Sequence, residues 1–132
     1  MAAKTVADKL LIKPGSTVWI SDPEHRGLVG PLPEGAGHVA ELGQATVAVV
    51  FAADAAAARR VLDEHRDQLA EPATLWVAYP KGNRSDINRD TLWPIVVEYG
   101  LRPNGQVAVD EVWSALRFRP LKAGEPPFTG GR

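Results

Sequence analysis

Two stretches of this chain are apolar almost without interruption, and they set its plan. Residues 45–52 carry Val47, Val49, Val50 and Phe51 in a single run. A run with no alternation of apolar and polar positions suits a strand covered on both faces, as in a parallel sheet. Residues 73–79 (Ala-Thr-Leu-Trp-Val-Ala-Tyr) read the same way. Residues 17–21 (Thr-Val-Trp-Ile-Ser) form a shorter β-rich stretch, and residues 37–42 a weaker one. Trp19 and Trp76 fall at core positions of their strands. Between these runs the period becomes helical. Ala58, Val61, Leu62, His65 and Leu69 form a core-facing stripe behind Asp54, an N-cap residue, which predicts a helix to about residue 69. Leu92, Ile95, Val96 and Tyr99 predict another helix, ending at Gly100. If Asp90 is its N-cap, Pro94 falls in the first turn, where a missing N–H is harmless.

The remaining segments complete the order. Residues 5–13 predict one or two helical turns, stopped by Pro14-Gly15. Residues 22–37 are rich in Gly and Pro and read mostly as loop, with a turn of helix near 24–28. Asn104-Gly105 is a turn signal, followed by a strand pair over 106–110 and 112–119 with Leu116 and Phe118 on one face. Strands that each feed a helix imply right-handed parallel crossovers, while two strands in direct succession require one to run antiparallel. The expected fold is a three-layer Rossmann-like α/β sandwich: a mostly parallel sheet of five or six strands with a C-terminal antiparallel pair. One domain is expected over 1–119, and a flexible Pro- and Gly-rich tail over 120–132.

Composition narrows the chemistry. A chain of 132 residues, 45% hydrophobic and 23% charged, is ordinary for one globular domain. A net charge of −1 argues against a protein built to grip nucleic acid. With no cysteine, disulfides, thiolate metal sites and cysteine nucleophiles are excluded. His25, His38 and His65 are scattered without metal-binding spacing, so no metal site is expected. Ser21 and Ser114 do not lie in G-x-S-x-G, and no catalytic residue is assigned. Neither a G-x-G-x-x-G fingerprint nor a Walker A loop occurs, so no cofactor is implied. No apolar run approaches the roughly 18 residues of a membrane span, and no signal peptide is visible. Cytoplasmic location without a membrane partner is the expectation.

Leu11-Ile12-Lys13-Pro14-Gly15 followed by Val18-Trp19-Ile20, together with residues 71–77 and the terminal hairpin, resembles the class I methyltransferases over most of residues 5–119. The resemblance implies a Rossmann-like fold in reduced form, with one helix–strand unit missing before residue 45. It departs after the first strand. There the family carries a Gly-rich loop, and this chain carries Ser21-Asp22-Pro23-Glu24-His25-Arg26-Gly27. A closer resemblance is to a small, mostly actinobacterial family whose domain has no assigned function. It rests on Lys13-Pro14-Gly15, on the run from Gly30 to Gly35 (Gly-Pro-Leu-Pro-Glu-Gly), on the run from Leu75 to Lys81 (Leu-Trp-Val-Ala-Tyr-Pro-Lys), and on the run from Trp113 to Phe118 (Trp-Ser-Ala-Leu-Arg-Phe). It implies a similar fold and no activity.

In open α/β sheets ligands bind beyond the carboxyl ends of the strands, where the strand order reverses. Ser21, Asp22 and Asp54 would border that crevice, although Asp22 also suits a turn and Asp54 a helix cap. Glu41, twenty residues after Ser21, stands where dinucleotide folds place an acid on ribose; otherwise it is an exposed strand-end acid. Lys81, Arg84 and Arg89, with the backbone N–H groups of their loop, could hold a small anion, or could be a solvated loop paired with Asp86 and Asp90. Trp113 could cover the crevice, lie at a subunit interface or pack in the core. The favoured reading is a non-catalytic, degenerate Rossmann-like domain acting through a protein partner or as a homo-oligomer. The alternative is a binding module for a small anionic metabolite or nucleotide. An S-adenosylmethionine-dependent methyltransferase ranks last, because Pro23 and a single glycine replace the Gly-rich loop.

Overall fold

The computed structural model describes residues 5–29, 31–82 and 85–126. Helix α1 (Val6–Lys9) leads to β1 (Thr17–Ile20), a one-turn 3-10 helix Pro23–His25, α2 (Arg26–Val29) and β2 (Gly37–His38). Then come β3 (Val47–Phe51), α3 (Ala55–Glu64), β4 (Thr74–Pro80), α4 (Arg89–Val97), β5 (Leu101–Ala108) and β6 (Trp113–Pro120). The six strands form one sheet in the order β2-β1-β3-β4-β6-β5. β2, β1, β3 and β4 are mutually parallel, while β6 is antiparallel to both β4 and β5. The fold is therefore the expected Rossmann-like sandwich. The strand order reverses between β1 and β3. Only a 3-10 turn, Leu42–Gln44, joins β2 to β3, in place of a full helix–strand unit.

Each face of the sheet carries its own core. α3 and α4 pack on one face, where Leu62, Leu92 and Val96 meet Leu75, Val77, Leu116 and Phe118. α1 and α2 cover the other, where Leu10 and Val29 meet Val18, Val49 and Trp76. β3 is buried along its whole length, as an apolar run without alternation requires. Trp76, 2% exposed, donates its indole N–H to the Leu10 carbonyl at 2.8 Å and so ties β4 to the end of α1.

Three expectations are corrected. α4 begins at Arg89 behind Asn88, not behind Asp90. The Asn88 side chain accepts from the Asp90 and Thr91 N–H groups, and the Thr91 hydroxyl accepts from the Asn88 N–H. This reciprocal cap satisfies more donors than Asp90 could. Pro94 consequently lies inside the helix, and the Asp90 carbonyl that it leaves unpaired belongs to an exposed residue. Asn104-Gly105 is not a hairpin turn but sits inside β5, at an irregularity in register between Pro103 and Gly105. β5 is an edge strand, where a proline and a bulge are tolerated. The hairpin turn lies later, where the Asp110 carboxylate accepts from the N–H groups of Val112 and Trp113. The predicted helix to residue 69 ends at Glu64 and continues as a 3-10 turn, Arg66–Gln68. His65 still faces inward and meets Trp19 edge-on at 4.8 Å.

β6 runs through Pro120, and the chain beyond it is tied back as far as Glu125. Both Glu125 carboxylate oxygens accept from Arg119, at 2.9 and 2.8 Å, and Arg102 stands at 3.6 Å. Residues 127–132 lie outside the described residues. Hydrogen bonds from Arg119, then from the Lys122 N–H, hold the Glu125 carboxyl at about 2, below its ordinary 4.5. A carboxyl depressed on folding stabilises the fold above its unfolded value, and that stabilisation disappears as pH falls through the folded value. Wild-type melting temperature should therefore decline between about pH 4.5 and pH 2. Glu125→Gln should lower the melting temperature at neutral pH and flatten this decline, which parallel thermal melts across the range will show.

Candidate functional site

The carboxyl ends of β1 and β3 are clipped together by Ser21. Its N–H donates to the Val49 carbonyl at 3.0 Å, and its hydroxyl accepts from the Phe51 N–H at 2.8 Å. Asp22 follows as the cap of the 3-10 turn. Its Oδ1 accepts from the Glu24 N–H at 3.0 Å, its carbonyl accepts from the His25 N–H, and its Oδ2 lies 3.3 Å from His25 Nδ1. Pro23 supplies the first residue of this turn, where its fixed φ is already helical. The Asp22-Pro23 turn places the His25 ring on Phe51 of β3, parallel at 4.2 Å. Trp113, the first residue of β6, meets both rings edge-on, at 5.3 Å from His25 and 5.2 Å from Phe51. Local sequence pattern gives no sign of this three-ring cluster, because its members come from separate segments. Trp113 is half-buried against the α1/α2 side of the sheet.

The predicted site residues separate into groups. Asp54 caps α3, accepting from the Ala57 N–H at 2.8 Å. Asp86, from the loop after β4, accepts from the Ala55 N–H at 2.8 Å at the same helix end. The loop therefore reaches the β3–α3 connection through an acid that the site reading had left out, not through its cations. Several of its described backbone donors are committed. The Lys81 N–H donates to the Val112 carbonyl, and the Asn88, Asp90 and Thr91 N–H groups belong to the α4 cap. Those four N–H groups are therefore not free for an anion. Lys81 is half-buried, and Arg84 lies outside the described residues. Arg89 is exposed and paired with Asp90 at 3.4 Å; it lines a cavity of about 590 Å3 between α4 and β5, with Trp93 and Gln106. That places it away from Asp22 in the fold.

Glu41 stands just beyond the carboxyl end of β2, at the head of the Leu42–Gln44 turn. It is exposed, its side chain makes no cap bond, and it has no ion pair among the described residues. At the end of β2 the His38 imidazole is held below its ordinary value, by partial burial and then by Arg26. The edge formed by Asp22, Glu41 and Asp54 is acidic.

S-adenosylmethionine is a test case for this edge: it carries a sulfonium, an ammonium and a ribose diol. The donor set fits those groups. Glu41 offers a free carboxylate to a diol, and an acidic edge suits a cation. The backbone after β1, whose donors are spent within the turn, would contribute no hydrogen bonds.

No helix among the described residues is long and apolar enough to cross a membrane. No family model matches the chain, and no curated protein matches it. Solved structures do. A Streptococcus agalactiae protein of the NADB-Rossmann superfamily superposes with TM-score 0.57 at 9% identity, covering 98% of this chain and 72% of that one. A candidate tRNA methyltransferase from Streptococcus pneumoniae gives TM-score 0.57 at 10% identity, over 95% of this chain and 70% of its own. The same protein solved with S-adenosyl-L-methionine gives 0.52. A B. subtilis tRNA methyltransferase gives 0.52 at 12% identity, covering 87% of this chain and 63% of that one. These likenesses establish a methyltransferase-like Rossmann fold. They also overturn the preference for a non-catalytic domain, which rested on the missing Gly-rich loop and on the lack of an acid/base or metal constellation. A lost Gly-rich loop removes one way of approaching a ligand and leaves the carboxylates at the strand ends in place.

Proposed function

We propose that this chain binds S-adenosylmethionine at the reversal between β1 and β3 and works as a methyltransferase. The observation that carries this reading is the strand order β2-β1-β3-β4-β6-β5, with an unengaged carboxylate, Glu41, at the end of β2. The fold shared with methyltransferases over nearly the whole chain supports it. The bound group supplies an activated methyl on its sulfonium. Glu41 holds the ribose hydroxyls. Ser21, Asp22 and Asp54 keep their structural bonds and form an acidic wall. Lys81, on the loop after β4, faces the ligand's carboxylate, and Trp113 closes the crevice rather than a subunit contact. The folded unit runs from α1 through β6 to the Glu125 tie and acts in the cytoplasm, which the absence of cysteine suits. Lys13-Pro14-Gly15 and the Trp113–Phe118 run mark it as one of a small family of such reduced domains.

Isothermal titration with S-adenosylmethionine and S-adenosylhomocysteine tests the reading. Saturable binding is expected. Glu41→Ala should weaken it about tenfold, the worth of one hydrogen bond to a charged group. The same change should leave the melting temperature untouched, because Glu41 has no bonds to lose. No heat at millimolar ligand overturns the proposal.

A further inference from the structure

At the far edge of the sheet, by the amino ends of β3 and β4, one charged donor has no acceptor. Arg117 stands on β6 opposite Trp76 of β4 and Gly105 of β5. Its side chain is partly buried, and its Nε–H is wholly buried without a hydrogen-bond partner. No ion pair joins it to any carboxylate among the described residues. Native structures rarely leave such a group unmatched, because a buried donor that has given up water must find another acceptor.

A cavity of about 270 Å3 opens beside this side chain. Lys13 lines it as a second cation, also without an ion pair among the described residues. Ser16 and Thr74 bring hydroxyls to it, Leu11 and Val47 bring apolar surface, and no Asp or Glu lines it. Two positive charges facing one cavity without a negative one repel each other in the empty state, and an anion between them reverses that cost. The chain also accepts backbone strain to form the rim. Leu11 takes φ 62°, a left-handed conformation costly for a branched side chain, yet remains 42% exposed. Its N–H bonds to the Asp8 carbonyl and the Ile12 N–H to the Ala7 carbonyl, so α1 ends sharply and the chain turns Leu11 and Lys13 toward the cavity.

We infer that this cavity is a binding site for a small oxoanion, a phosphate monoester or carboxylate with an apolar body, held by Arg117 and Lys13. The guanidinium turns toward the cavity to bring its Nε–H, sealed from water in the empty site, onto the oxoanion, a planar fork suited to planar or tetrahedral anions. The apolar body rests on Leu11 and Val47. This site lies at the opposite ends of the strands from the crevice and does not depend on the methyltransferase reading.

The test titrates the full chain with inorganic phosphate, phenyl phosphate, acetate and benzoate, against sodium chloride at equal ionic strength. Binding is followed by calorimetry and by the 1H–15N signal of Arg117 Nε. Saturable binding of one oxoanion class is expected, tighter for its phenyl form, with a shift of the Nε–H signal on binding. The phosphate and carboxylate arms show which class the site takes. Arg117→Gln should weaken binding about tenfold or more. Lys13→Gln, at an exposed position that the fold does not need, should weaken it several-fold even if the Arg117 variant folds poorly. Glu41→Ala should leave it unchanged. Absence of saturable binding at millimolar anion, an unmoved Nε–H signal, or affinity unchanged in Lys13→Gln would each overturn the inference.

Discussion

Trp76→Ala is expected to strip the chain of about half its stability or more. Trp76 is among the largest fully buried side chains and packs against the α1/α2 side of the sheet. Truncating a buried Trp to Ala costs about 3–5 kcal/mol through lost transfer energy and the cavity left behind. The indole N–H also supplies a buried bond to the Leu10 carbonyl, and Leu10 is itself fully buried. An acceptor orphaned there costs about 1–3 kcal/mol more. Domains of this size are stable by only about 5–15 kcal/mol, so the sum is a large fraction of the whole. Trp76→Phe separates the two contributions. It retains most of the apolar area and loses the bond, and should cost about 2–3 kcal/mol. Urea titrations of wild type and both variants measure this directly. The midpoints should fall in the order wild type, Phe, Ala, with unchanged slopes. A Trp76→Phe midpoint equal to that of wild type would mean that the Leu10 bond contributes nothing.

The same residue shows how far local pattern reaches. Trp76 reads as core because it sits in an apolar run, and the run places it in a strand covered on both faces. That its indole reaches Leu10, 66 positions away in the chain, is a matter of tertiary packing. The pattern holds best where burial dictates the residue, as in β3 and β4, and where one cap stands without a rival, as at Asp54. It fails where two local choices compete. Asn88 and Asp90 are both competent caps, and only the reciprocal bond with Thr91 selects the first. Asn104-Gly105 suits a turn and a bulge equally, and the edge position of β5 decides.

The site was legible in its position and not in its wiring. Ser21, Asp22 and Asp54 do lie at the strand ends, because any sheet of this order brings them there. Their side chains, however, are occupied with clips and caps. Of the anion cradle expected over 81–89, the Lys81 and Asn88 N–H groups are taken by the Val112 carbonyl and the α4 cap, since a loop entering a helix satisfies its own donors first when partners are at hand. Glu41 and the ring cluster come from separate segments that no local spacing joins. Glu41 signals itself only by its distance from Ser21, and the ring cluster by an unexplained Trp113.

That cluster bears the other large effect. Phe51→Ala should cost about 3–4 kcal/mol. The ring is 7% exposed at the end of β3 and contacts His25 face to face and Trp113 edge-on. Its loss leaves a cavity at the place where β1 and β3 part. A double-mutant cycle between Phe51→Leu and Trp113→Leu should return a coupling of about 1 kcal/mol, the worth of an aromatic pair beyond burial. The functional consequence differs from the energetic one. Phe51→Leu keeps the apolar volume, so the fold should survive with a loss near 1 kcal/mol. It removes the flat surface on which His25 lies, and His25 should then leave its place above the crevice. If the crevice takes a cationic nucleoside, the affinity of Phe51→Leu for S-adenosylmethionine should fall several-fold at nearly unchanged melting temperature. Affinity equal to wild type would place the ligand away from the three rings and leave Phe51 a purely structural part of the β3 end.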